Sequence, residues 1–306
     1  MAKIEVEHFT KDYGHGRGVF DISFKINEGE VYGFLGPNGA GKSTTIRHLM
    51  GFSKPDHGET KILGMSSFEN YDKFMDKIGY LPGEIALLDG LTGYEFLDMM
   101  EKLKKVKDDK WVKHLLELFE LDPSGETKRM SLGVKRKLAV VTAFMNDPDI
   151  LILDEPTSGL DLNMQHTFIE FIKEEKQRGK TILLSSHIFS EVDATCDRIA
   201  IIKDGKIVSE FIADDLRHKN NKNYLVEFDT IKQLEKFEND NKNNGSFKML
   251  KDSDTSLIIN IDDKNINQLI MAISKVKIKG FTHLKETLED YFMSYYKEDG
   301  DFGGTF

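Results

Sequence analysis

The sequence predicts an α/β domain followed by a smaller α+β domain. Residues 2–215 alternate short apolar, β-rich runs with helical patterns, and this alternation is typical of an α/β fold. From about Lys219 asparagine becomes frequent, and the later segments follow the strand and helix order of a ferredoxin-like unit. We therefore expect a first domain over 1–218 and an accessory domain over 219–306, with a linker near 216–222.

Charge and cysteine content limit the classes of partner and compartment. Among 306 residues, 52 acidic and 42 basic side chains give a net charge of −10. This balance argues against nucleic acid or anionic lipid as the main partner, because both are bound through clustered positive charge. The single cysteine, Cys196, cannot form an intramolecular disulfide, which favours a reducing compartment. No apolar run approaches the roughly 18 residues that cross a bilayer, and the acidic N-terminus is not typical of a signal peptide.

Buried strands and a glycine-rich turn organise the first domain. Val31–Leu35 is a short apolar run, and a helix is expected over 44–50, after the glycine-rich turn. Two further apolar runs, 150–153 and 181–184, are also predicted to be buried strands because they lack the alternation of half-exposed ones.

Residues 84–146 have wholly helical patterns, which predicts a helical subdomain inserted into the α/β core. Thr92 and Glu95 have the spacing of a capping box, so a helix is expected to begin there. Four apolar residues recur at helical spacing and predict one buried helix face: Trp111, Leu115, Leu118 and Phe119.

The accessory domain is predicted from its own short segments. Strands are expected over 224–229, 247–251, 256–261 and 277–282, and helices over 231–239 and 264–275. A last helix is expected over 284–297 because Leu284, Leu288, Phe292 and Tyr295 recur at helical spacing. The final residues, 299–306, are expected to form a frayed tail.

The glycine-rich turn carries the clearest chemical motif. It fits the phosphate-loop pattern G-x-x-x-x-G-K-[ST], with residues Gly36, Pro37, Asn38, Gly39, Ala40, Gly41, Lys42 and Ser43. Glycines let backbone N–H groups converge on a phosphate, and the following helix adds the positive end of its dipole. We expect Lys42 to reach the β and γ phosphates of a nucleotide and the hydroxyl of Ser43 to bind Mg²⁺.

Two carboxylates follow the apolar run 150–153. Asp154 stands at the carboxyl end of a predicted buried strand, which faces the crevice where ligands of such sheets bind. We therefore expect Asp154 to contact Mg²⁺ directly or through a water molecule. Glu155, one residue further, is placed to orient or deprotonate a water that attacks the γ phosphate. Taken alone, such a pair more commonly solvates a loop or caps a helix, but a phosphate loop upstream favours the functional interpretation.

Three further features identify the type of phosphate-loop protein. The motif Met130-Ser131-Leu132-Gly133-Val134 opens a helix, Asp154 begins a run that ends at Asp161, and His187 follows the strand 181–184. In this order and spacing, residues 2–215 resemble the nucleotide-binding subunit of ATP-binding cassette (ABC) transporters. The fold implied is a phosphate-loop ABC ATPase core with a helical signature subdomain, and the ligands implied are ATP and Mg²⁺.

The resemblance also implies roles for single residues. Tyr13 matches the aromatic residue that stacks on adenine, and residues 36–44, which end at Thr44, match the phosphate-binding segment. Asp154 matches the Mg²⁺ aspartate, Glu155 the catalytic base and His187 the switch histidine at the γ phosphate. Lys42 is grouped with Glu155 and His187 as catalytic.

The signature residues have an implied role in dimers. Ser131 and Gly133 match the motif that completes the ATP site of the opposite subunit in a head-to-tail dimer, and Asp161 matches a residue at the subunit contact. On its own, Ser131 is equally explained as a helix N-cap. Five cations surround the motif and either attract ATP phosphates or form a solvated or partner-facing surface: Lys128, Arg129, Lys135, Arg136 and Lys137.

The chain departs from the family pattern at four positions. Leu132 stands where the signature has glycine, and Val134 where it has glutamine. Gly83 stands where a loop glutamine normally senses the γ phosphate, and the adjacent Glu84 is either a substitute ligand or a plain loop carboxylate. With its Gly-Tyr-Leu-Pro-Gly-Glu loop, the chain resembles the branch that is paired with ABC-2-type permeases, which export drugs, lipids or antimicrobial peptides.

The leading prediction is an ATP-hydrolysing motor subunit, working as a homodimer or heterodimer with an integral membrane permease at the cytoplasmic face of the membrane. The alternatives are a soluble ABC-type ATPase acting on ribosomes or DNA, and a phosphate-loop kinase. A kinase would not need Ser131, Asp161 or His187, and only 131 − 42 = 89 residues without heptads separate Lys42 from Ser131, where chromosome-organising relatives carry a coiled coil. The accessory domain is expected to mediate dimer contacts, sense a ligand or regulate hydrolysis, or else to be inert.

Overall fold

The computed structural model describes residues 2–217, 221–242, 244–284 and 287–295. The chain divides into two compact units, Met1–Ala213 and Asp214–Phe306. The sequence placed this division a few residues later, between 218 and 219. Two residues of the expected linker, Leu216 and Arg217, belong to helix α7 (Ala213–Arg217), and Asn221 and Lys222 begin a strand, so the linker prediction was wrong at both ends.

The first unit contains two sheets. The antiparallel sheet has the order β2-β1-β4-β5, with β1 Ala2–Asp12, β2 Gly18–Asn27, β4 His57–Ile62 and β5 Met65–Ser66. The second sheet has the order β10-β9-β3-β8-β7-β6, with β3 Val31–Leu35, β6 Ile78–Leu81, β7 Ile150–Asp154, β8 Thr181–Ser186, β9 Arg198–Lys203 and β10 Lys206–Ile212. Its strands are parallel except for β10, which pairs antiparallel with β9.

One apolar core joins the two sheets of the first unit. It includes Phe24 of β2 and Tyr32 of β3, whose rings stack with centroids 5.2 Å apart, and Ile46 from helix α1 (Lys42–Leu49). The strands β3, β7 and β8 are buried along their whole length, as their unbroken apolar runs predict. This burial holds the carboxyl ends of three neighbouring strands in fixed positions.

The helices of the first unit include the predicted helical subdomain. Its helices are α2 Gly93–Lys104, α3 Asp109–Leu118 and α4 Leu132–Phe144, and they are followed along the chain by α5 Leu162–Gln177 and α6 Phe189–Thr195. The predicted capping box is confirmed, because Thr92 and Glu95 each bond the other's backbone N–H at the start of α2. Leu115 and Phe119 are buried, and the indole N–H of Trp111 donates to the carbonyl of Phe144 at 2.9 Å.

A close contact between β3 and α6 depends on Gly33. A Cβ atom at Gly33 would lie 2.7 Å from Cγ1 of Val192 and 2.9 Å from Sγ of Cys196. Both distances are shorter than carbon and sulfur atoms tolerate, so only glycine allows this packing. The Cys196 thiol is enclosed at this contact, and burial raises its pKa to about 12.

The second unit has the element order predicted from its sequence. Its strands are β11 Asn221–Phe228, β12 Phe247–Lys251, β13 Ser256–Asp262 and β14 Ile278–Leu284, and its helices are α8 Ile231–Asn241, α9 Ile266–Ile273 and α10 Leu288–Ser294. The antiparallel sheet has the order β12-β13-β11-β14, which is that of a ferredoxin-like unit. Phe237 of α8 lies at the centre of its core, with ring centroids 5.2 Å from Phe228 and 6.2 Å from Phe247.

The last predicted helix was wrong at its start. Leu284 ends strand β14, where it pairs with Asn223 of β11, instead of beginning a helix. Helix α10 begins after Thr287, whose side chain and that of Asp290 form a capping box. Residues 296 and 297 of the predicted helix, and the predicted tail 299–306, lie outside the described residues.

Candidate functional site

The phosphate-loop motif connects β3 to α1, as its sequence context predicts. Gly39 has a φ of +83° and an added Cβ would meet open space, whereas Gly41 has a φ of +110° and packs against Val19. Asn38 and Gly39 are exposed at the tip of the loop, and the buried Ala40 accepts a hydrogen bond from the backbone N–H of Gly205 at 3.0 Å. The loop is therefore anchored at its base and open at its tip.

The N-terminus of α1 is suited to an anion. Gly41 occupies the N-cap position and provides no side chain to cap the helix, and the first turn contains no acidic residue. The first N–H groups of a helix have no intrahelical acceptor, and the helix dipole adds positive potential at this end. Ser43 and Thr44 follow in the first turn, with partly accessible side chains. This arrangement fits the phosphates of a nucleotide.

Lys42 is held at the base of the loop. The residue is buried, and its ammonium group donates to the carbonyls of Gly36 and Pro37. The same ammonium group lies 3.0 Å from Oε1 of Glu155, which belongs to the loop after β7. The structure thus brings Lys42 and Glu155, two of the residues that the sequence grouped as catalytic, together from separate segments of the chain.

Glu155 also contacts the loop after β8. Nδ1 of His187 lies 2.6 Å from Oε2 of Glu155, and because a carboxylate only accepts, Nδ1 carries the proton in this hydrogen bond. Glu155 has a φ of +49°, an uncommon conformation for a residue other than glycine, and its N–H donates to the carbonyl of Ser185 at 3.0 Å. The bend directs the carboxylate toward both Lys42 and His187.

Asp154 is the last residue of β7 and is buried. One of its oxygens accepts a hydrogen bond from the hydroxyl of Ser185. Gly83 packs against its other oxygen, because a Cβ atom at Gly83 would lie 3.0 Å from Oδ2. The adjacent Glu84 is exposed. The residue of this loop that packs against Asp154 is therefore Gly83, which has no side chain.

The signature segment contacts the loop around Asp161. Ser131 is the N-cap of α4 and accepts from the N–H of Val134 at 3.3 Å, and a Cβ atom at Gly133 would lie 3.1 Å from the carbonyl oxygen of Gly159. Leu132 is 61% exposed, and Asp161 caps α5. α4 packs on β6, which is separated from β3 by β7 and β8. At the usual spacing of strands, β6 and β3 are about 14 Å apart.

Tyr13 lies in the β1–β2 turn. Its ring is 53% exposed, with the ammonium group of Lys11 5.8 Å from the ring centroid. β2, which follows this turn, packs Val19 against Gly41 of the phosphate loop. Tyr13 is therefore available for stacking on a flat ligand, in a turn whose following strand contacts the phosphate loop.

Two buried charged residues close to Glu155 were not predicted from the sequence. Arg136 was grouped with four surface cations, but it is only 2% exposed. Glu191 is 1% exposed and accepts a hydrogen bond from the hydroxyl of Ser186 at 2.5 Å. A signal for Glu191 was its position four residues after His187, on the helix that follows the buried serines of β8. Arg136 carries no local signal that distinguishes it from Lys135 or Lys137.

Comparison with known proteins shows the family. The family model described as "ABC transporter" matches residues 19–158. The ABC transporter ATP-binding protein YhcH of Bacillus subtilis, which is described as uncharacterized, is 31% identical over 297 residues, covering 95% of this chain and 94% of YhcH. The chain belongs to the ABC transporter ATP-binding proteins.

Two further comparisons agree with this assignment. The bacitracin transport ATP-binding protein BcrA of Bacillus licheniformis is 36% identical over 226 residues, covering 72% of each chain. A solved structure titled as the ATP-binding subunit of an ABC transporter is 31% identical, with a TM-score of 0.64 over 70% of this chain and 91% of the other. The chain is thus an ABC ATPase, a subunit that binds and hydrolyses ATP.

Two further observations concern the described part of this ABC ATPase. Within it, no helix is both long and apolar enough to span a bilayer. Across the same residues, no three His, Cys, Asp or Glu side chains converge as a metal site. Mg²⁺ commonly takes one or two protein ligands and completes its shell with phosphate oxygens and water. The hydroxyl of Ser43 and the carboxylate of Asp154 are oxygen donors of the kind that this ion accepts.

Proposed function

We propose that this ABC ATPase is the motor subunit of a membrane exporter. The observation that carries the proposal is the junction of Lys42, Glu155 and His187, which come from the segments that follow β3, β7 and β8. A nucleotide held at the N-terminus of α1 would have its terminal phosphate beside all three groups.

In the proposed reaction, residues 36–44 bind the phosphates of ATP and Tyr13 stacks on the adenine. Ser43 and Asp154 hold Mg²⁺, which neutralises phosphate charge when bound. Lys42 exchanges its contact with Glu155 for the β and γ phosphates. Glu155 then orients the attacking water and takes its proton as the water oxygen bonds to the γ phosphorus. The bond from that phosphorus to the β–γ bridging oxygen breaks, which releases ADP and phosphate, while His187 holds the carboxylate through Nδ1 and contacts the γ phosphate.

The proposed working form contains a second subunit, either another copy or a similar chain. Ser131 and Gly133 stand at the N-terminus of α4. This helix packs on edge strand β6, and β7 and β8 lie between β6 and β3, which leads into the phosphate loop. In the proposed dimer, Ser131 and Gly133 of one subunit reach the ATP of the other, and Asp161 lies at the contact. Leu132 is exposed beside Gly159 and would belong to the same interface.

The proposed membrane partner is an ABC-2-type permease, with this subunit at the cytoplasmic face of the membrane. BcrA is named for bacitracin transport, and the proposed cargo classes are drugs, lipids and antimicrobial peptides. Exposed aromatic side chains near the Gly83 loop provide a surface for such a partner. Phe52 and Tyr71 are 58% and 53% exposed, and the Phe52 ring makes an edge contact with Tyr80 of β6.

Glu155→Gln tests the central proposal. The substitution keeps the shape of the side chain but removes the base, so we expect ATP turnover to fall by about 10²-fold or more. ATP should still bind, and light scattering should show an ATP-dependent dimer. Glu117→Gln, which changes an exposed carboxylate on α3, is the control. Unchanged turnover together with no ATP-dependent dimer in Glu155→Gln would contradict the proposal.

A further inference from the structure

Arg136 makes an unusual set of contacts for a buried cation. Its Nε donates to the carbonyl of Ser158 at 2.9 Å, its Nη1 to that of Pro82 at 2.9 Å, and its Nη2 to that of Gly83 at 2.6 Å. All three acceptors are backbone carbonyls, and they belong to two different loops. The planar guanidinium thus joins helix α4 to the loop after β6 and to the loop after β7.

Both loops adjoin the carboxylates of the proposed site. Gly83 packs against Oδ2 of Asp154, as described above. The N–H of Ser158 donates to the carbonyl of Glu155 at 3.2 Å, which closes the turn that begins at Glu155. A shift of the Gly83 carbonyl would therefore displace the backbone beside Asp154, and a shift of the Ser158 carbonyl would displace the turn that holds Glu155.

The charge of Arg136 is also directed toward this site. Burial lowers the pKa of the guanidinium, and the nearby negative charges of Asp154 and Glu155 raise it. An arginine remains charged even so. A buried cation is costly unless its donors are satisfied and opposite charge is near, and both conditions are met here by the loops around Asp154 and Glu155.

We propose that Arg136 is a positioning residue for ATP hydrolysis, which fixes the Gly83 loop and the Glu155 turn relative to α4. The proposal rests on the roles given above to Asp154 and Glu155. Because Ser131 caps α4 and Gly133 lies in its first turn, the same helix carries the segment proposed to contact the partner's nucleotide. Arg136 thereby makes the placement of the hydrolytic carboxylates depend on the position of the signature helix.

The geometry distinguishes Arg136 from a general basic residue. A lysine ammonium carries its three donors on one nitrogen at the end of a flexible stem, so it cannot reproduce the fixed planar fork with which the guanidinium reaches three carbonyls. Arg136→Lys keeps the charge and removes the fork, whereas Arg136→Gln removes both. Leu138→Ala is the matched control, because Leu138 is fully buried on the same helix and its loss weakens packing without touching the loops through hydrogen bonds.

The experiment measures kcat, the KM for ATP, and the thermal midpoint of the full chain for each variant. We expect Arg136→Lys and Arg136→Gln to lower kcat by about tenfold or more, since small displacements of catalytic groups are costly, with KM within about twofold. Leu138→Ala should lower the thermal midpoint but retain most of kcat when assayed below that midpoint. If Arg136→Gln does not fold, Arg136→Lys decides alone.

Two results would overturn the inference. One is a kcat within twofold of the original in the folded Arg136 variants, and the other is an equal loss of kcat in Leu138→Ala. The inference and the proposed function fail separately. A Glu155→Gln enzyme with unchanged turnover and no ATP-dependent dimer would remove the proposed function, whereas an inactive Glu155→Gln enzyme with normal Arg136 variants would remove this inference alone.

Discussion

The ammonium group of Lys42 lies 3.0 Å from Oε1 of Glu155, and both side chains are largely buried. The other oxygen of Glu155 contacts Nδ1 of His187. A phosphate that binds Lys42 must therefore replace an existing ion pair. Part of the energy gained with the phosphate offsets the loss of this pair, and Glu155 is released from Lys42 at the same moment.

Lys42→Met is expected to weaken ATP binding by about 10- to 100-fold, since a hydrogen bond to a charged group contributes roughly 1.5–3 kcal/mol. The variant also leaves Glu155 without its cation, which adds repulsion toward the phosphates. Titration calorimetry with ATP measures the change. Lys113→Met is the control, because Lys113 forms an exposed ion pair with Asp109 on α3. Equal ATP affinity in the two variants would contradict the role of Lys42.

Gly83→Gln, which restores the residue usual in the family, is expected to impair the enzyme. Its Cβ would lie 3.0 Å from Oδ2 and 3.3 Å from Cγ of Asp154, so the carboxylate must shift. We expect the Mg²⁺ concentration for half-maximal ATPase activity to rise by about 10-fold, as when groups that orient a metal ligand are lost.

Gly125→Ala is the control for this change, because a Cβ there meets no atom within 4 Å. A Gly83→Gln enzyme with the same Mg²⁺ dependence as the original would show that Asp154 does not need glycine beside it.

The buried carboxyl of Glu191 should make the free energy of unfolding depend on pH. Burial is the main cause that raises the pKa of this carboxyl to about 7 from its ordinary value of 4.5, and the charge of Glu155 adds to the rise. Because the folded pKa is the higher one, the folded state binds more protons between these values, and stability falls as pH rises through this window. At 1.36 kcal/mol per pKa unit, the loss is roughly 3 kcal/mol above about pH 7.

Glu191→Gln removes this titration and should flatten the dependence. Urea unfolding at about pH 5 and pH 8 measures it, and the difference between the two pH values should be smaller in the variant than in the original chain. An equal difference in both would mean that Glu191 does not titrate in this range.

Phe237→Ala is expected to destabilise the second unit by about 3–5 kcal/mol, the usual cost of removing a buried phenylalanine. Its ring is fully buried in the core of that unit. The chain's single tryptophan, Trp111, lies in the first unit, so its fluorescence reports on that unit alone. In Phe237→Ala we expect the urea midpoint of Trp111 fluorescence to equal that of the original chain, while circular dichroism shows unfolding at a lower urea concentration than in the original chain.

Phe168→Ala, in the core of the first unit, should instead shift the Trp111 signal. A shift of the same size with Phe237→Ala would show that the two units unfold together.

The central strands and the phosphate loop could be predicted because their signals are local. An unbroken apolar run is sufficient to indicate β3, β7 or β8, and Thr92 with Glu95 marks the start of α2. The proximity of Lys42 to Glu155 follows from the rule that parallel strands present their carboxyl ends at one edge. The roles of these residues remain proposals.

The remaining features depend on tertiary contacts that sequence spacing does not show. Leu284 fits a helical pattern, but pairing with Asn223 keeps it in a strand. Arg136 has cationic neighbours of the same type, and only the convergence of the Pro82 and Ser158 carbonyls separates it from them. Whether a charged side chain is buried depends on the hydrogen-bonding groups that other segments of the fold place around it.

The enclosure of Cys196 at the contact with Gly33 gives the ATPase unit an internal reporter. A thiol with a pKa of about 12, sealed between β3 and α6, reacts with a maleimide only when that contact opens. The chain has no second cysteine, so its labelling rate measures this opening alone. Comparing that rate with and without ATP would show how far a nucleotide at the end of β3 tightens the strand beneath it.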